Sequence, residues 1–102
     1  TNWKAIYHLY KILAEHHPSN VILLNKAIAA AYAIDRETAL RELEQIKGLE
    51  NNYLYNTALG EVNSDLGCIE EARTFYEKAL LFATSVAERA LIRSKIDNCQ
   101  PQ

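Results

Sequence analysis

The sequence has no methionine, only three glycines and two prolines, and no block of charges of one sign. Few Gly and Pro residues beside abundant Ala, Leu, Glu and Lys exclude a loop-rich chain and favour helices joined by short turns. Scattered charges with a formal net charge of -2 exclude an overall basic field, so we expect no direct contact with nucleic acid. Without an initiating methionine, the chain is expected to be a segment of a longer protein.

Long uninterrupted apolar runs are also missing. The apolar stretch at 21–34 is broken by Asn25 and Lys26. It is shorter than the roughly 18 to 20 apolar residues that cross a bilayer, so we expect no membrane span. Cys68 and Cys99 stand 31 positions apart and form no CxxC pair, which favours two free thiols in a cytoplasmic protein over a disulfide.

Capping residues, breakers and apolar spacing together predict about six helices. The predicted starts are Thr1 or Asn2, Ser19 or Asn20, Asp35, Tyr53, Glu70 and Ser85. The third helix is expected to leave through Gly48 in the left-handed conformation, the fourth to end at Leu66 before Gly67, and the sixth to end near Asp97. Ser85 and Glu88 are expected to form a reciprocal capping box. Residues 1–97 are predicted to form a single domain, followed by a frayed tail at 98–102.

Three of these helices share one spaced pattern of a small residue followed by larger apolar ones. The matching triplets are Ala5, Leu9 and Ile12; Ala39, Leu43 and Ile46; and Ala72, Tyr76 and Ala79. Their period of 33 to 34 residues is that of helix-turn-helix repeats of the tetratricopeptide type.

The repeat predicts an all-α fold, a right-handed stack of antiparallel helix hairpins in which neighbouring helices meet at small residues. The residues expected at the signature packing positions are Ala5, Ala27, Ala39, Gly60, Gly67, Ala72, Tyr76 and Ala79. Asn56 replaces the usual Trp and Thr84 the usual Pro, so the repeat is degenerate. The sixth helix would cap the stack, and the first would be the second half of a repeat whose partner was removed or never existed.

No catalytic, cofactor-binding or metal-binding set stands out, and the chain is predicted not to be an enzyme. His16 and His17 are adjacent and point about 100° apart on a helix, so a solvated pair is favoured over a metal site. Glu61 and Asp65 lie four positions apart on the fourth helix. They form either an acidic groove wall that accepts a partner's Lys or Arg, or a solvated helix face.

Several segments together resemble a known module. They are Pro18-Ser19-x-Val21-Ile22-x-Leu24-Asn25-Lys26-Ala27-Ile28-Ala29, Gly67-x-x-x-Glu71-Ala72-x-x-x-Tyr76-x-x-Ala79-Leu80, and Ala87-Glu88-Arg89. Over residues 3–96 the chain resembles the C-terminal tetratricopeptide-like extension of bacterial extracytoplasmic-function RNA polymerase sigma factors. The chain has Asn20 and Lys26 where that family usually has Pro and Arg, and Ile34-Asp35-Arg36 where it usually has Gly-Pro.

The resemblance implies a regulatory, protein-interaction domain that modulates transcription initiation, with no cofactor. Its implied partners are the sigma regions of the same polypeptide, the RNA polymerase core, or both. The alternative is a stand-alone adaptor that binds a peptide or protein unrelated to transcription. The candidate interaction or hairpin-fixing residues are Asn25, Lys26, Tyr32, Asn56, Glu61 and Asp65.

Overall fold

A computed structural model of the chain describes residues 1–99, which contain six helices and no strand. The helices are α1 (Trp3–His16), α2 (Asn20–Ala33), α3 (Arg36–Gln45), α4 (Tyr53–Asp65), α5 (Ile69–Phe82) and α6 (Val86–Asn98). The all-α prediction is therefore confirmed. No helix in this described part is both long and apolar enough to cross a membrane.

Polar side chains cap five of the six helix starts by accepting a backbone N–H from the first turn. The caps are Asn2, Ser19, Asp35, Asn52 and Ser85. Each bond satisfies one of the backbone donors that the first turn of a helix leaves without a partner. Hydrogen bonds from Thr38 to the Asp35 carboxylate hold the pKa of Asp35 below its usual value.

The chain forms two compact units, Thr1–Leu49 and a second that begins at Glu50. In the first unit, α2 packs against both α1 and α3. Its buried apolar residues are Leu24, Ala27, Ala29, Ala30, Ala31, Ala39, Leu43 and Ile46. Almost all of them come from α2 and α3, and α1 contributes no fully buried residue.

In the second unit, α5 packs against both α4 and α6. One buried cluster joins α5, α6 and the residue that follows α6: it contains Ala72, Tyr76, Ala79, Ile92 and Cys99. Tyr55, Leu59 and Val62 add the buried apolar side of α4. Each unit is thus a set of consecutive helices in which the middle helix is covered on two sides.

The ends of α3 and α6 differ from their predicted positions. α3 ends at Gln45, and Gly48, although its φ is 91°, lies in the loop beyond the helix. The helix stops early because Ile46 turns to extended backbone and is buried, and the Asn20 side chain then donates to the Lys47 carbonyl at 2.8 Å.

α6 continues through Asn98, and Cys99 is buried, so these two residues do not belong to a frayed tail. The Cys99 side chain belongs to the core cluster of the second unit and thereby holds the end of α6 in place. The remainder of the predicted tail, residues 100–102, lies outside the described residues.

The capping box at the start of α6 is also shifted by one residue. Ser85 accepts from the Glu88 backbone N–H at 3.0 Å, as predicted. The Glu88 carboxylate does not return a bond to Ser85 and instead accepts from the backbone N–H of Thr84 at 2.8 Å and from its hydroxyl at 3.2 Å. Ser85 and Glu88 therefore still hold the start of α6, with Glu88 bonded to Thr84 in place of Ser85.

Candidate functional site

Lys26 belongs to a polar network that joins all three helices of the first unit. Its ammonium lies 3.1 Å from one carboxylate oxygen of Glu42, whose other oxygen accepts the Tyr7 hydroxyl at 2.9 Å. The ammonium also lies 5.9 Å from the centroid of the Tyr7 ring. Because both partners of the ion pair are mostly shielded from solvent, Lys26 serves the packing of α1, α2 and α3 and is not a freely projecting contact.

The Tyr7 hydroxyl makes the stability of the first unit sensitive to alkaline pH. Burial, followed by the hydrogen bond and negative charge of Glu42, raises the pKa of Tyr7 from 10.0 to about 12. The unfolded chain, in which Tyr7 ionises near its ordinary pKa, loses the proton first. This contribution to stability is therefore complete below pH 10 and is lost as the pH rises toward 12.

We expect Tyr7→Phe to flatten this alkaline decline. Urea unfolding followed by Trp3 fluorescence, repeated across the range from pH 10 to 12, measures the effect. Tyr10→Phe, which removes another partly buried tyrosine of the same helix, is the matched control. Equal slopes for wild type and Tyr7→Phe would contradict the assignment.

Asn25, predicted either to fix the hairpin or to contact a partner, is partly buried on α2. Its side chain has no hydrogen-bond partner among the residues the structure describes, and the loop-fixing role falls to Asn20 instead. Asn20 donates to the Lys47 carbonyl and so connects the start of α2 to the loop after α3. The side chain that fixes this hairpin is therefore that of Asn20 and not that of Asn25.

Tyr32, at the end of α2, is the exposed centre of a stack of three side chains, and its two neighbours in the stack are partly buried. Its ring lies 4.5 Å from the Trp3 ring, at an interplanar angle of 22°, and the Arg36 guanidinium is 5.0 Å from its centroid. Arg36 also donates to the Ala31 carbonyl at 2.6 Å, which fixes the guanidinium beside the ring. Tyr32 nevertheless remains 55% exposed. We call Trp3, Tyr32 and Arg36 the aromatic stack.

Most of the repeat-signature residues lie where helices approach closely. Ala27, Ala39, Ala72 and Ala79 are buried with no exposed surface, and Tyr76 is nearly so. Gly60 is also buried, and a Cβ placed on it would lie 2.5 Å from Cε1 of Tyr76. Gly67 has a different role, because its φ of 82° supports the turn after α4 and nothing surrounds the place of a Cβ. Ala5 departs from the prediction, since it is exposed.

Asn56 is buried at the start of α4 and fixes the segment that precedes the helix. Its Nδ2 donates to the carbonyls of Glu50 at 3.0 Å and of Asn52 at 2.8 Å. Asn56 was predicted either to contact a partner or to fix a hairpin. Because only 1% of the residue is exposed, its contacts are those that fix the hairpin. The Asn56 amide thus binds the backbone of the segment that leads into α4.

Replacing Asn56 with alanine is expected to destabilise the second unit by about 1 to 3 kcal/mol, since the Glu50 and Asn52 carbonyls lose the side-chain donor and the Asn52 carbonyl keeps only the Asn56 backbone N–H. Asn56→Asp keeps the size but removes the donor and adds a charge facing two carbonyls, so it should destabilise the unit at least as much. Urea unfolding followed by circular dichroism measures both variants. If Asn56→Asp were as stable as wild type, the donated bonds would not hold the segment.

Glu61 and Asp65 differ in their surroundings. The Glu61 carboxylate forms an ion pair with Lys95 of α6, and burial followed by the charge of Glu61 raises the pKa of Tyr76. Asp65 is exposed at the end of α4. The cation that Glu61 contacts therefore comes from α6 of the same unit.

Cys68 and Cys99 are free thiols, as predicted, the first partly exposed and the second buried. Within residues 1–99, no three His, Cys, Asp or Glu side chains are grouped so that they could hold a metal ion.

Sequence reasoning missed Trp3 and Arg36 as partners of Tyr32, and Tyr7 and Glu42 as partners of Lys26. Tyr32 and Arg36 are four positions apart, a spacing that would pair them on one helix, but the turn between α2 and α3 intervenes. Tyr7 and Glu42 are 35 positions apart, and only the packing of three helices brings them together.

A longer bacterial protein is similar to the chain over almost all of the chain's length. No family model matches the chain, and no solved structure matches it. Over 99 residues, 96% of the chain, it is 35% identical to an uncharacterized protein of Rhizobium meliloti (strain 1021). The chain spans 23% of the length of that relative, so most of the Rhizobium protein lies outside the matched segment.

Proposed function

We propose that this chain is a non-catalytic interaction domain of an extracytoplasmic-function-type RNA polymerase sigma factor. In this role it contacts the sigma regions of its own polypeptide or the polymerase core in the cytoplasm and so modulates transcription initiation. The resemblance of its Pro18–Ala29 and Gly67–Leu80 segments to the extension of that family supports the proposal. The size of the Rhizobium relative is also consistent with a domain that is one part of a larger protein.

The observation that carries the proposal is the exposed outer side of α2. Lys26 of this helix forms an ion pair with Glu42 inside the unit. Val21, at the start of the helix, and Tyr32, at its end, remain mostly exposed. The outer side is therefore apolar at its start and aromatic at its end, with the partly buried Asn25 and Ile28 between them. Aromatic and arginine side chains are enriched at the energetic centres of protein interfaces. The aromatic stack is held in place before any partner arrives, which lowers the entropy lost on binding.

The positions of the second unit that are equivalent to Val21 and Tyr32 are also exposed. Leu54 of α4 stands 33 positions after Val21 and is 61% exposed, and Asp65 stands 33 positions after Tyr32. The first helix of each predicted hairpin thus leaves an equivalent side uncovered by its own unit. A surface that recurs with the repeat is typical of proteins that bind partners along stacked helices.

Deleting residues 1–102 from the full-length protein tests the role in transcription. We expect promoter-specific transcription by reconstituted polymerase to change, because the domain either restrains the sigma regions or strengthens their hold on the core. An unchanged level would sink the proposal. The adaptor alternative predicts that unchanged level together with loss of an unrelated binding partner.

A point variant separates contact from folding. Tyr32→Ala should weaken binding of the full-length protein to its partner by about tenfold or more, as truncation of an interface aromatic does. Leu81→Ala removes a side chain that is 77% exposed in the second unit and is the matched control. If both variants bind equally well, the aromatic stack is not the contact.

A further inference from the structure

The signature triplet of α1 is exposed, whereas the equivalent triplets of α3 and α5 are buried. Ala5, Leu9 and Ile12 have the same residue types at the same offsets as Ala39, Leu43 and Ile46, which follow 34 positions later. Leu9 is 55% exposed but Leu43 is fully buried, and Ile12 is 40% exposed but Ile46 only 6%. We call Ala5, Leu9 and Ile12 the α1 stripe.

The buried triplets share a covering element, the helix that immediately precedes them in the chain. α2 packs against α3, and α4 packs against α5. In the second case the approach is so close that Gly60 of α4 leaves no room for a Cβ against Tyr76 of α5. In the first case Ala27 of α2 is completely buried, as is Ala39 of α3.

α1 already packs against α2, but through other residues. Its partly buried side chains are Trp3, Ile6, Tyr7, Tyr10, Leu13 and Ala14. The stripe lies outside this set, so α2 cannot cover it without losing the contacts it makes. α1 therefore has one face that packs against α2 and a second apolar face that no helix of the unit covers.

We infer that the α1 stripe is the docking face for an amphipathic α-helix of the same polypeptide, located N-terminal to α1 in the longer protein. This helix would pack on α1 as α2 packs on α3. It would present an apolar stripe with a small residue opposite Leu9, because Tyr76, the equivalent residue of the α5 triplet, faces Gly60 of its covering helix. The Rhizobium relative, of which the chain spans 23%, has further polypeptide outside the matched segment.

Charge at the edge of the stripe specifies the helix further. Lys4, His8, Lys11 and Glu15 are all exposed and follow one edge of the stripe at helical spacing. Acidic side chains on the incoming helix opposite Lys4 and Lys11 would complement the two lysines and set the orientation and register of that helix. The expected occupant is thus apolar along one face and acidic along the adjoining one.

Site-resolved cysteine labelling of the full-length protein tests the inference. Leu9→Cys and, as control, Leu81→Cys are reacted with a maleimide, and each position is read by peptide mass spectrometry so that Cys68 and Cys99 do not interfere. We expect residue 9 to react several-fold more slowly than residue 81 in the folded protein. The two rates should become equal when the protein is unfolded in urea.

The remaining outcomes decide the occupant. Protection at residue 9 that persists on dilution supports a helix of the same polypeptide. Protection that disappears on dilution indicates a second copy and overturns the inference. Equal labelling of residues 9 and 81 in the folded full-length protein overturns it as well, since the stripe would then be open.

A stability measurement gives a second, independent readout. In the full-length protein, Leu9→Ala should lower the unfolding midpoint reported by the first unit by at least about 5 °C, as truncation of a covered leucine does. Leu81→Ala should leave the midpoint close to that of wild type. A Leu9→Ala midpoint equal to that of Leu81→Ala would show that nothing covers the stripe.

Discussion

Gly60→Ala is expected to destabilise the second unit by about 2 kcal/mol, although alanine is the better helix former. A Cβ at residue 60 would lie within 3.0 Å of three ring carbons of Tyr76. Tyr76 is only 2% exposed, so its ring has no solvent-filled space into which to turn. The gain in helix propensity, about 1 kcal/mol, offsets only part of the cost of separating α4 from α5.

A double-mutant cycle shows whether the ring is the cause. Tyr76→Leu removes the atoms that the new methyl group would meet, so Gly60→Ala should be nearly neutral or stabilising in that background. Urea unfolding followed by circular dichroism measures all four proteins. Additive effects would contradict the account, because they would place the damage of Gly60→Ala somewhere other than at Tyr76.

Leu43→Ala is expected to have the largest effect in the first unit, about 2 to 5 kcal/mol. Leu43 is fully buried on α3, and among the fully buried side chains it is one of the largest. Removing three carbon atoms there leaves a cavity that small neighbours such as Ala27 and Ala39 cannot fill. Trp3, the only tryptophan of the chain, reports the unfolding of this unit by fluorescence.

Leu81→Ala is the control for Leu43→Ala, since it removes the same atoms from a side chain that is mostly exposed. Its effect should stay within about 0.5 kcal/mol. If Leu43→Ala cost no more than this control, α3 would not pack on α2 through its signature triplet. The assignment of that triplet as the inner face of a hairpin would then be wrong.

Local sequence signals were sufficient for the helices and their starts. Asn2, Ser19, Asp35 and Ser85 are all predicted caps, and each accepts a first-turn N–H in the structure. A cap acts within three residues of itself, so its effect can be read from a short window. The same holds for the buried spacing of α3 and α5, which follows from helical periodicity.

Helix ends and polar contacts depended on distant residues and could not be predicted in this way. α3 ends before Gly48 because Ile46 is buried and Asn20 binds the Lys47 carbonyl, 27 positions away. The ion pair of Glu61 with Lys95 likewise joins α4 to α6. The spacing of Glu61 and Asp65 suggested a shared acidic surface, but it carried no information about a cation supplied by another helix.

Ala5 illustrates the limit of repeat matching. Its alignment with Ala39 and Ala72 is good in sequence, yet it is exposed where they are buried. We infer from this difference that the aligned face of α1 packs against a further helix that precedes it. The inferred docking of a further helix rests on both the sequence period and the exposure of the α1 stripe. Neither observation would be sufficient by itself.

The central claim is that the domain contacts the transcription machinery through the exposed side of α2. Its most direct test is photo-crosslinking from a photoreactive phenylalanine analogue at position 32 of the full-length protein, bound to RNA polymerase core. We expect crosslinks from position 32 to the sigma regions of the same polypeptide or to polymerase subunits. These crosslinks should be absent when residue 81 carries the probe instead. Crosslinks confined to proteins outside the transcription machinery, or an equal pattern from both positions, would contradict it.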